Sequence, residues 1–334
     1  MNIVYSSSDS FAPITGVSIQ SLLINNADAD EINIYLIDNG ISEDNKSKLR
    51  QLADKHNRTL VFIDKPDLNK QVGLSINIDI GRWNISTFFR LFLPTILPSG
   101  VERCIFLDGD TIVRHSLREL WEMDLEDKIA AAIDDCRSDR YKTELGLSTD
   151  NTYTNNGVIL IDLKRWRELA VEKEFIEFMI ARNGSITYVD QGVLNGVLAK
   201  KGLVKVIPTK YNVMTVFFDF NFKELIKLRH PEHHLSEEEY NEAVNDPYIV
   251  HYTSCFYSGT RPWNEKNNHP YVGEYLEYKA MSPWKDTPQL PDNRKKLKKL
   301  MTTVCNIMPK GMMIAIISLV HSKLYPMVRA LKGK

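Results

Sequence analysis

A chain of 334 residues is long enough to bury a large core, in one large domain or two. Its 43% hydrophobic and 25% charged residues are typical of a globular protein, which excludes a disordered chain and a multi-span membrane protein. No apolar stretch follows a basic N-terminal segment, so we expect no signal peptide and a cytoplasmic protein. The four cysteines lack the spacing of a metal site, and we expect reduced, structural thiols.

The formal net charge of −1 hides an uneven distribution along the chain. Residues 291–334 contain one acid, Asp292, and ten basic residues: Arg294, Lys295, Lys296, Lys298, Lys299, Lys310, Lys323, Arg329, Lys332 and Lys334. This segment therefore carries about +9, and residues 1–290 carry about −10. We expect the two parts to contact different partners.

Strand and helix patterns alternate over the first two-thirds of the chain. Apolar runs predict strands at 3–5, 32–37, 60–63, 104–107, 157–163 and 248–252. Helical spacing predicts helices at 13–26, 43–56, 164–181, 191–199 and 222–247, and Ser42 is the expected N-cap of the second. Strands separated by such helices imply parallel crossovers, so the predicted fold class is α/β with a doubly wound sheet flanked by helices.

Two polar clusters follow strands of this predicted sheet. Ser6-Ser7-Ser8-Asp9 follows the first strand, and Asp108-Gly109-Asp110 follows the fourth. Ligands of such sheets bind beyond the carboxyl ends of the strands, so both clusters are expected to face one crevice.

The pair Asp108 and Asp110 is the strongest chemical signal in the sequence. Two carboxylates separated by glycine can turn toward one cation, and their hard oxygens suit Mn²⁺ or Mg²⁺. An ordinary acidic turn at a strand end is the alternative interpretation. A phosphatase motif of the haloacid dehalogenase type, DxDx(T/V), is a second alternative. Ile112 stands where that motif has threonine or valine, and the strand is the fourth rather than the first.

Further polar groups follow later predicted strands or precede a helix. His251 could complete an oxygen-rich metal shell, and Arg261 could hold a diphosphate by forked hydrogen bonds. The alternative for His251 is a packed core histidine. Asn155 and Asn156 offer amides suited to sugar hydroxyls, or form a simple Asn-Gly turn. Asp190 and Gln191 form a site pair, or they cap a helix.

Taken together and in order, these motifs resemble glycosyltransferase family 8. The resemblance covers residues 2–263 through the runs IVYSSSDSFAPITGVSIQSLL, STFFRLFLPTILP, CIFLDGDTIVRHSLRELWEMDL, YTNNGVILIDLKRWR, YVDQGVLNGVL, IPTKYNVM and HYTSCFYSGTRPW. It implies a GT-A fold with a mixed sheet, a UDP-hexose donor, Mn²⁺ and retention at the anomeric carbon.

The resemblance also implies roles for individual residues. The implied metal ligands are Asp108, Asp110 and His251. The implied donor-binding residues are Ser7, Ser8, Asp9, Arg90, Asp108, Gly109, Asn155, Asn156, Asp190 and Arg261. Gln191 is expected beside the anomeric carbon, with Asp190 as its catalytic partner, and Asp134 resembles an acceptor-side carboxylate.

The chain departs from the family pattern at both ends of this set. The family often reads A-D-D-N-Y where this chain has Ser7-Ser8-Asp9-Ser10-Phe11, so Ser8 replaces a carboxylate at the uracil end. The segment from His251 to Trp263 is longer than usual, and Arg261 replaces a lysine.

The predicted organisation is a catalytic domain at 1–282, a linker at 283–293 and a basic amphipathic tail at 294–334. The apolar run at 312–320 is too short to span a bilayer, and cations beside it suit a helix lying on an anionic membrane. A helix docked on the catalytic domain is the alternative.

These features predict a hexosyltransferase at the inner face of the cell membrane that acts on a cell-surface or lipid-linked glycan. No nucleic-acid partner is expected. A nucleotide-sugar-binding protein without activity is the competing class, and the phosphatase is a third. Asp190 and the poorly nucleophilic Gln191 favour a front-face route over a covalent intermediate.

Overall fold

The computed structural model describes residues 1–67, 85–231 and 233–320. Its strands are β1 (Asn2–Ser8), β2 (Asn33–Asn39), β3 (Thr59–Asp64), β4 (Arg103–Leu107), β5 (Thr111–Val113), β6 (Ala130–Asp134), β7 (Thr154–Asp162), β8 (Val204–Val206), β9 (Val213–Met214) and β10 (Ile249–His251). The α-helices of the first half are α1 (Ala12–Asn25), α2 (Glu43–Lys55), α3 (Leu93–Ile96), α4 (Arg118–Glu122), α5 (Asp139–Leu145) and α6 (Leu163–Glu168). Those of the second half are α7 (Val171–Ala181), α8 (Val189–Val197), α9 (Thr215–Asp219), α10 (Phe222–Arg229), α11 (Glu237–Asn245), α12 (Val272–Met281), α13 (Lys296–Ile307) and α14 (Lys310–Leu319).

Seven strands form one central sheet in the order β3-β2-β1-β4-β7-β6-β8. Strands β1, β2, β3 and β4 are parallel, whereas β7 runs antiparallel to β4 and β6. A second sheet has the order β5-β10-β9. The predicted fold class is therefore confirmed, with helices flanking a mixed sheet.

Both faces of the central sheet are buried. In β1, Ile3 and Tyr5 belong to one apolar cluster and Val4 to another, and all three are fully buried. Alternation in a strand sends successive side chains to opposite faces, so helices cover both sides. Because helices cover both faces, the sheet is left accessible at the ends of its strands.

Two long predicted helices are each interrupted in the structure. The predicted helix at 164–181 is α6 and α7, separated at Ala170, whose φ is +49°. The predicted helix at 222–247 is α10 and α11, separated after His230, whose φ is +46° and which precedes Pro231. Asp190 lies in the first turn of α8 rather than in a loop before it.

Helices α13 and α14 pack against the body of the protein. Cys305, Met313 and Ile314 are buried in the principal apolar cluster, and Lys310 pairs with Glu224 at 2.7 Å. The sequence left open that the C-terminal segment docks on the catalytic domain, and the structure shows this docking for residues 296–319. The cations beyond residue 320, Lys323, Arg329, Lys332 and Lys334, lie outside the described residues.

Residues 283–293, expected to form a linker, also contact the body. Trp284 is 2% exposed, and its ring occupies the place where a Cβ on Gly16 would lie. The domain boundary at residue 282 stays a prediction. Among the described helices, none combines the length and apolarity that a membrane span requires. All four cysteines are free and buried, as expected.

Candidate active site

One cavity of about 770 Å³ opens at the carboxyl ends of β1 and β4. It is lined by these sequence-predicted residues: Ser7, Ser8, Arg90, Asp108, Gly109, Asp110, Asn155, Asn156, Asp190, Gln191, His251 and Arg261. They come from β1, the 3-10 helix Ile85–Phe92, the β4–β5 turn, β7, α8, the end of β10 and the segment that follows β10. The sheet therefore brings together residues that lie up to 254 positions apart between Ser7 and Arg261.

Asp108, Asp110 and His251 form the only such cluster of potential metal ligands found within the described ranges, with their ligand atoms within 4.8 Å of one another. Strand pairing explains the convergence, because His251 of β10 lies opposite Thr111 of β5, next to Asp110. His251 Nε2 is 3.3 Å from Asp110 Oδ1 and 3.7 Å from Asp108 Oδ2. Two carboxylates and an imidazole form a donor set suited to a divalent cation.

Charge around this cluster controls its protonation. Burial raises the pKa of Asp110, but His251 and Arg261 oppose it and lower that pKa to about 2. Arg261 Nη1 is 3.1 Å from Asp110 Oδ2. Burial lowers the pKa of His251, but Asp110 and Asp108 together outweigh it, so the net shift of this pKa is upward.

Two glycines allow close packing at this site. A Cβ at Gly157 would lie 2.2 Å from His251 Cε1 and 3.1 Å from Asp108 Oδ2. A Cβ at Gly109 would lie 2.4 Å from Thr15 Oγ1. Real Cβ atoms do not approach other atoms so closely, so glycine at 157 allows the backbone near His251 and Asp108, and glycine at 109 allows the turn to pack against α1. The residues present therefore fit a metal ion.

Asn212 fixes the orientation of the imidazole. Its Oδ1 is 2.9 Å from His251 Nδ1, and its Nδ2 donates to Asn155 Oδ1 at 2.8 Å. Asn212 is fully buried, so these bonds are not exchanged with water. Because an amide oxygen can only accept, Nδ1 carries the proton and Nε2 is left free toward the aspartates.

Arg90 joins the metal cluster to Asp190. Its Nη2 donates to Asp108 Oδ1 at 2.6 Å, and its Nε lies 3.0 Å from Asp190 Oδ2. Its guanidinium also lies over the ring of Phe106, 4.4 Å from the centroid. Burial raises the pKa of Asp190 to about 6, against the lowering effect of Arg90. One buried guanidinium thus holds two carboxylates in place.

Gln191 is held by a carboxylate that the sequence did not single out. Its Nε2 donates to Asp135 Oδ2 at 2.8 Å, and its Oε1 lies 3.4 Å from Asn155 Nδ2. Burial raises the pKa of Asp135, but Arg137 and Arg229 outweigh it and the net shift is downward. An ionised carboxylate only accepts hydrogen bonds, so it selects the orientation of the Gln191 amide.

The backbone before Asp190 adopts an uncommon conformation. Tyr188 and Val189 both have positive φ, 59° and 44°. Such values are rare for a β-branched residue and concentrate at functional sites. This turn directs the start of α8, and with it Asp190 and Gln191, toward the cavity.

Two predicted site residues are not among the described residues that line the cavity. The carboxylate of Asp9 accepts hydrogen bonds from the Ser42 amide at 2.9 Å and from Asn45 Nδ2 at 2.8 Å. These bonds lower the pKa of Asp9 to about 2. Asp134 Oδ1 accepts from the Cys136 amide at 2.6 Å, and burial raises the pKa of Asp134 to about 6.

Sequence reasoning missed four residues around the site: Asp135, Arg137, Asn212 and Arg229. Asp135 follows the predicted Asp134, and Asn212 lies in the run IPTKYNVM. Both residues therefore lie in or beside segments that resemble the family, and this position was the signal for them. Arg229 carries no local signal, because only the docking of α10 brings it to Asp135.

Comparison with known proteins identifies the family. The profile of glycosyl transferase family 8 matches residues 2–267. General stress protein A of Bacillus subtilis is 28% identical over 85% of this chain and 94% of its own length. A lipopolysaccharide 1,2-glucosyltransferase of Escherichia coli is 24% identical over 86% of this chain and 79% of its own length.

A solved structure is similar in fold. The galactosyltransferase LgtC, in complex with donor and acceptor sugar analogs, superposes with a TM-score of 0.69 at 24% identity, covering 90% of this chain and all of that one. A GT-A fold is therefore established for this chain. The chain belongs to glycosyltransferase family 8 and is a glycosyltransferase.

Proposed function

We propose that this glycosyltransferase moves a glucose or galactose unit from a UDP-sugar to a saccharide hydroxyl of a cell-surface or lipid-linked glycan. The transfer depends on Mn²⁺ and retains the configuration of the anomeric carbon. The convergence of Asp108, Asp110 and His251 in the cavity that Arg90, Asp190 and Gln191 also line is the observation that supports it most. The Escherichia coli relative, a lipopolysaccharide 1,2-glucosyltransferase, supports a cell-surface glycan as acceptor.

The donor is assigned to the side of the cavity between β1 and α8. Ser7 and Ser8 at the end of β1 contact the nucleotide, and Arg261 contacts the diphosphate beside Asp110. A bound divalent cation supplies Lewis-acid stabilisation of the negative charge on the departing diphosphate. Arg90, Asp190, Asn155 and Asn156 bind the hexose hydroxyls. Within the described part of the chain, Asn156 Nδ2 is buried without a hydrogen-bond partner, which suits a donor reserved for a ligand.

The arrangement favours a front-face transfer. The Asp190 carboxylate is engaged by Arg90 Nε at 3.0 Å, which makes it a poor nucleophile. The Gln191 amide is neutral, and its carbonyl oxygen is the atom left to face the anomeric carbon once Nε2 binds Asp135. The acceptor oxygen then bonds to the anomeric carbon on the face from which the diphosphate departs, and the hydroxyl proton passes to the departing diphosphate oxygen. The Gln191 carbonyl stabilises the positive charge that develops on the sugar.

Release of UDP from UDP-glucose, UDP-galactose and UDP-N-acetylglucosamine, measured with Mn²⁺ and with EDTA, tests the proposal. We expect one hexose to be preferred and activity to require the metal.

Asp108→Ala and Asp110→Ala should each abolish turnover while the circular dichroism spectrum stays unchanged. Full activity in EDTA would end the metal assignment. Tight UDP-sugar binding without turnover on any glycan would favour the binding-protein alternative.

We further propose that the C-terminal helices lie on an anionic membrane. The outward face of α13 exposes an apolar row: Leu297, Leu300, Met301, Val304 and Ile307. The outward face of α14 continues it with Met312, Ile316 and Leu319. Apolar rows beside a segment with about +9 charge suit insertion into the interface of a bilayer with anionic lipids.

Sedimentation of the full chain with vesicles tests this surface without removing the buried residues of α13 and α14. We expect binding to phosphatidylglycerol vesicles, weaker binding to phosphatidylcholine vesicles, and a clear loss in the double variant Leu300→Gln and Val304→Gln. Thr303→Gln is the matched control, because Thr303 is exposed on the same helix beside the apolar row. Equal partitioning of the double variant and the control would reject the membrane assignment.

A further inference from the structure

Two arginines share one buried carboxylate beside Gln191. Arg229 Nη1 lies 3.0 Å from Asp135 Oδ1, and Arg137 Nε lies 3.3 Å from Asp135 Oδ2. The Asp135 side chain is completely buried, whereas Arg137 and Arg229 both line the cavity. The carboxylate is therefore behind the cavity wall, and the two cations form part of its surface.

The charge of this pair is not balanced by its protein contacts. Within the described residues, the carboxylate of Asp135 alone contacts the two guanidiniums, and the Asp134 carboxylate acts on Arg229 without contacting it. Burial, and after it the neighbouring Arg137, lower the pKa of Arg229, whereas Asp135 holds the pKa of Arg137 above its usual range against burial. The carboxylates among the described lining residues are Asp108, Asp110 and Asp190, and each contacts Arg90 or Arg261 instead.

Both guanidiniums are oriented and keep donors in reserve. Arg137 donates to the Tyr188 hydroxyl at 3.0 Å and lies 4.7 Å from the centre of that ring. The contacts of Arg229 within the described ranges are made through Nη1, to the carboxylate and backbone oxygen of Asp135. Its Nε and Nη2 remain for a ligand. A fixed planar fork of this kind matches the two oxygens of a carboxylate or phosphate.

A series of side-chain contacts separates Arg137 and Arg229 from the part of the cavity assigned to the donor. Arg90 holds Asp190, the next residue Gln191 holds Asp135, and Asp135 holds the two arginines. Arg137 and Arg229 thus lie beyond the amide assigned to the anomeric carbon. A group at that position belongs to the sugar that receives the hexose rather than to the diphosphate of the donor.

We propose that Arg137 and Arg229 bind an anionic substituent, a phosphate or a carboxylate, on the acceptor saccharide. This inference rests on the proposed function, because it takes the donor to occupy the metal side of the cavity. It makes the enzyme selective for charged glycans over neutral ones. The acceptor hydroxyl is then positioned by an ion pair formed a short distance from the reacting carbon.

Calorimetric titration of the full chain, saturated with Mn²⁺ and UDP so that the donor phosphate site is filled, tests the proposal. The probes are glucose, glucose 6-phosphate, glucuronate and inorganic phosphate. We expect a charged sugar to bind at least about tenfold more tightly than glucose, since a hydrogen bond to a charged group contributes that much. The tighter of the phosphorylated and carboxylated sugars identifies the anion, and inorganic phosphate alone reports the contribution of the charge without the sugar.

Arg229→Gln and Arg137→Gln should each remove most of this preference while the affinity for UDP with Mn²⁺ is kept. Arg118→Gln is the matched control, because the Arg118 side chain is 50% exposed and pairs with Asp28 away from the cavity. Arg229→Lys keeps the charge but not the fork, and we expect an intermediate loss. The wild-type comparison of charged and neutral sugars needs no variant, so it decides the question even if a variant fails to fold.

Equal affinity for charged and neutral sugars would overturn the inference and leave the arginines as partners of Asp135 only. A preference that survives in both arginine variants would overturn it as well. A marked preference for UDP-glucuronate over UDP-glucose as donor would assign the pair to the donor sugar instead. Absence of UDP binding in the wild type would reject the proposed function itself, together with this inference, and is thereby distinguished from the other results.

Discussion

Hydrogen bonds to buried side chains fix the orientations of two residues of this site, His251 and Gln191. Asn212 orients His251, Asp135 orients Gln191, and each of these pairs joins a fully buried group to a residue that lines the cavity. Buried partners of this kind fix the tautomer of a histidine or the orientation of an amide. A substitution of the buried partner therefore affects the residue in the cavity, although that residue itself is unchanged.

Asn212→Leu should weaken the affinity for Mn²⁺ by about 10- to 100-fold, because the His251 imidazole loses the acceptor that fixes its tautomer. Mn²⁺ binding can be measured by calorimetry or by the paramagnetic relaxation of water. Asn26→Leu is the matched control, since Asn26 is equally buried and bonds to Leu117 and Leu22 instead. Unchanged affinity in Asn212→Leu would show that His251 does not depend on this bond.

Asp134→Asn should raise stability at neutral pH. Burial raises the folded-state pKa of Asp134 from 3.8 to about 6, so ionisation of this carboxyl opposes folding. The penalty is absent below pH 3.8, grows as the pH rises toward 6 and is complete above it. It amounts to about 3 kcal/mol, and asparagine keeps an oxygen for the Cys136 amide.

The check for Asp134 is urea unfolding of both proteins at pH 4.5 and pH 7.5. We expect the variant to gain stability over the wild type at both pH values, with the gain at pH 4.5 about a third of the gain at pH 7.5. A gain that does not depend on pH would contradict the ionisation argument. A raised KM for the acceptor in the same variant would support the predicted acceptor role of Asp134.

Short elements set the positions that the site needs. The three-residue strand β10 lies between β5 and β9, and this pairing carries His251 to the aspartates. Helix α7 is separated from α6 by Ala170 in the left-handed region, at an exposed position without glycine. Alanine is strained in the left-handed region and locally prefers the right-handed one. Tertiary packing therefore maintains the interruption between α6 and α7.

Ala170→Gly should therefore stabilise the fold by about 1 kcal/mol, because glycine adopts a positive φ without steric strain. Chemical denaturation of both proteins measures the difference in the free energy of unfolding. Ala181→Gly is the matched control at the exposed end of the same helix, where a regular conformation makes glycine neutral or destabilising by up to about 1 kcal/mol. Destabilisation by Ala170→Gly would show that the left-handed conformation is not maintained in solution.

At the scale of the whole molecule, α13 and α14 are both part of the core and part of the surface. Their inner faces bury Cys305, Met313 and Ile314, and their outer faces expose apolar rows. Lys298 and Ile317 from these helices also line the cavity. The surface that we propose to lie on a membrane is thus continuous with a wall of the cavity. In that proposed arrangement, a lipid-linked acceptor would lie near the residues that bind it.

Ile314→Ala should cost about 2–5 kcal/mol of unfolding free energy, since Ile314 is 2% exposed within the principal core. Ile316→Ala, two residues along the same helix at 45% exposure, should change stability by no more than about 0.5 kcal/mol. Thermal or urea unfolding compares the two. Equal effects would mean that α14 does not dock on the body in solution.

The sequence alone determined the fold class, most strands and the members of the metal-ligand cluster. Apolar periodicity and turn residues are local properties, so they predict elements directly, and ordered motifs carry over from the family resemblance. The chain also carries the signal for Asp108 and Asp110, because a DxD turn at a strand end needs no distant partner.

Only the tertiary structure decided which charged groups meet. Asp135 rather than Asp134 contacts Gln191, Arg229 reaches Asp135 across 94 positions, and Asp9 turns to Ser42 and Asn45. Which face of a strand end or helix turns toward a cavity depends on packing between distant segments, and no local pattern contains that information. The C-terminal helices dock for the same reason, since burial of Met313 and Ile314 depends on a surface formed by other parts of the chain.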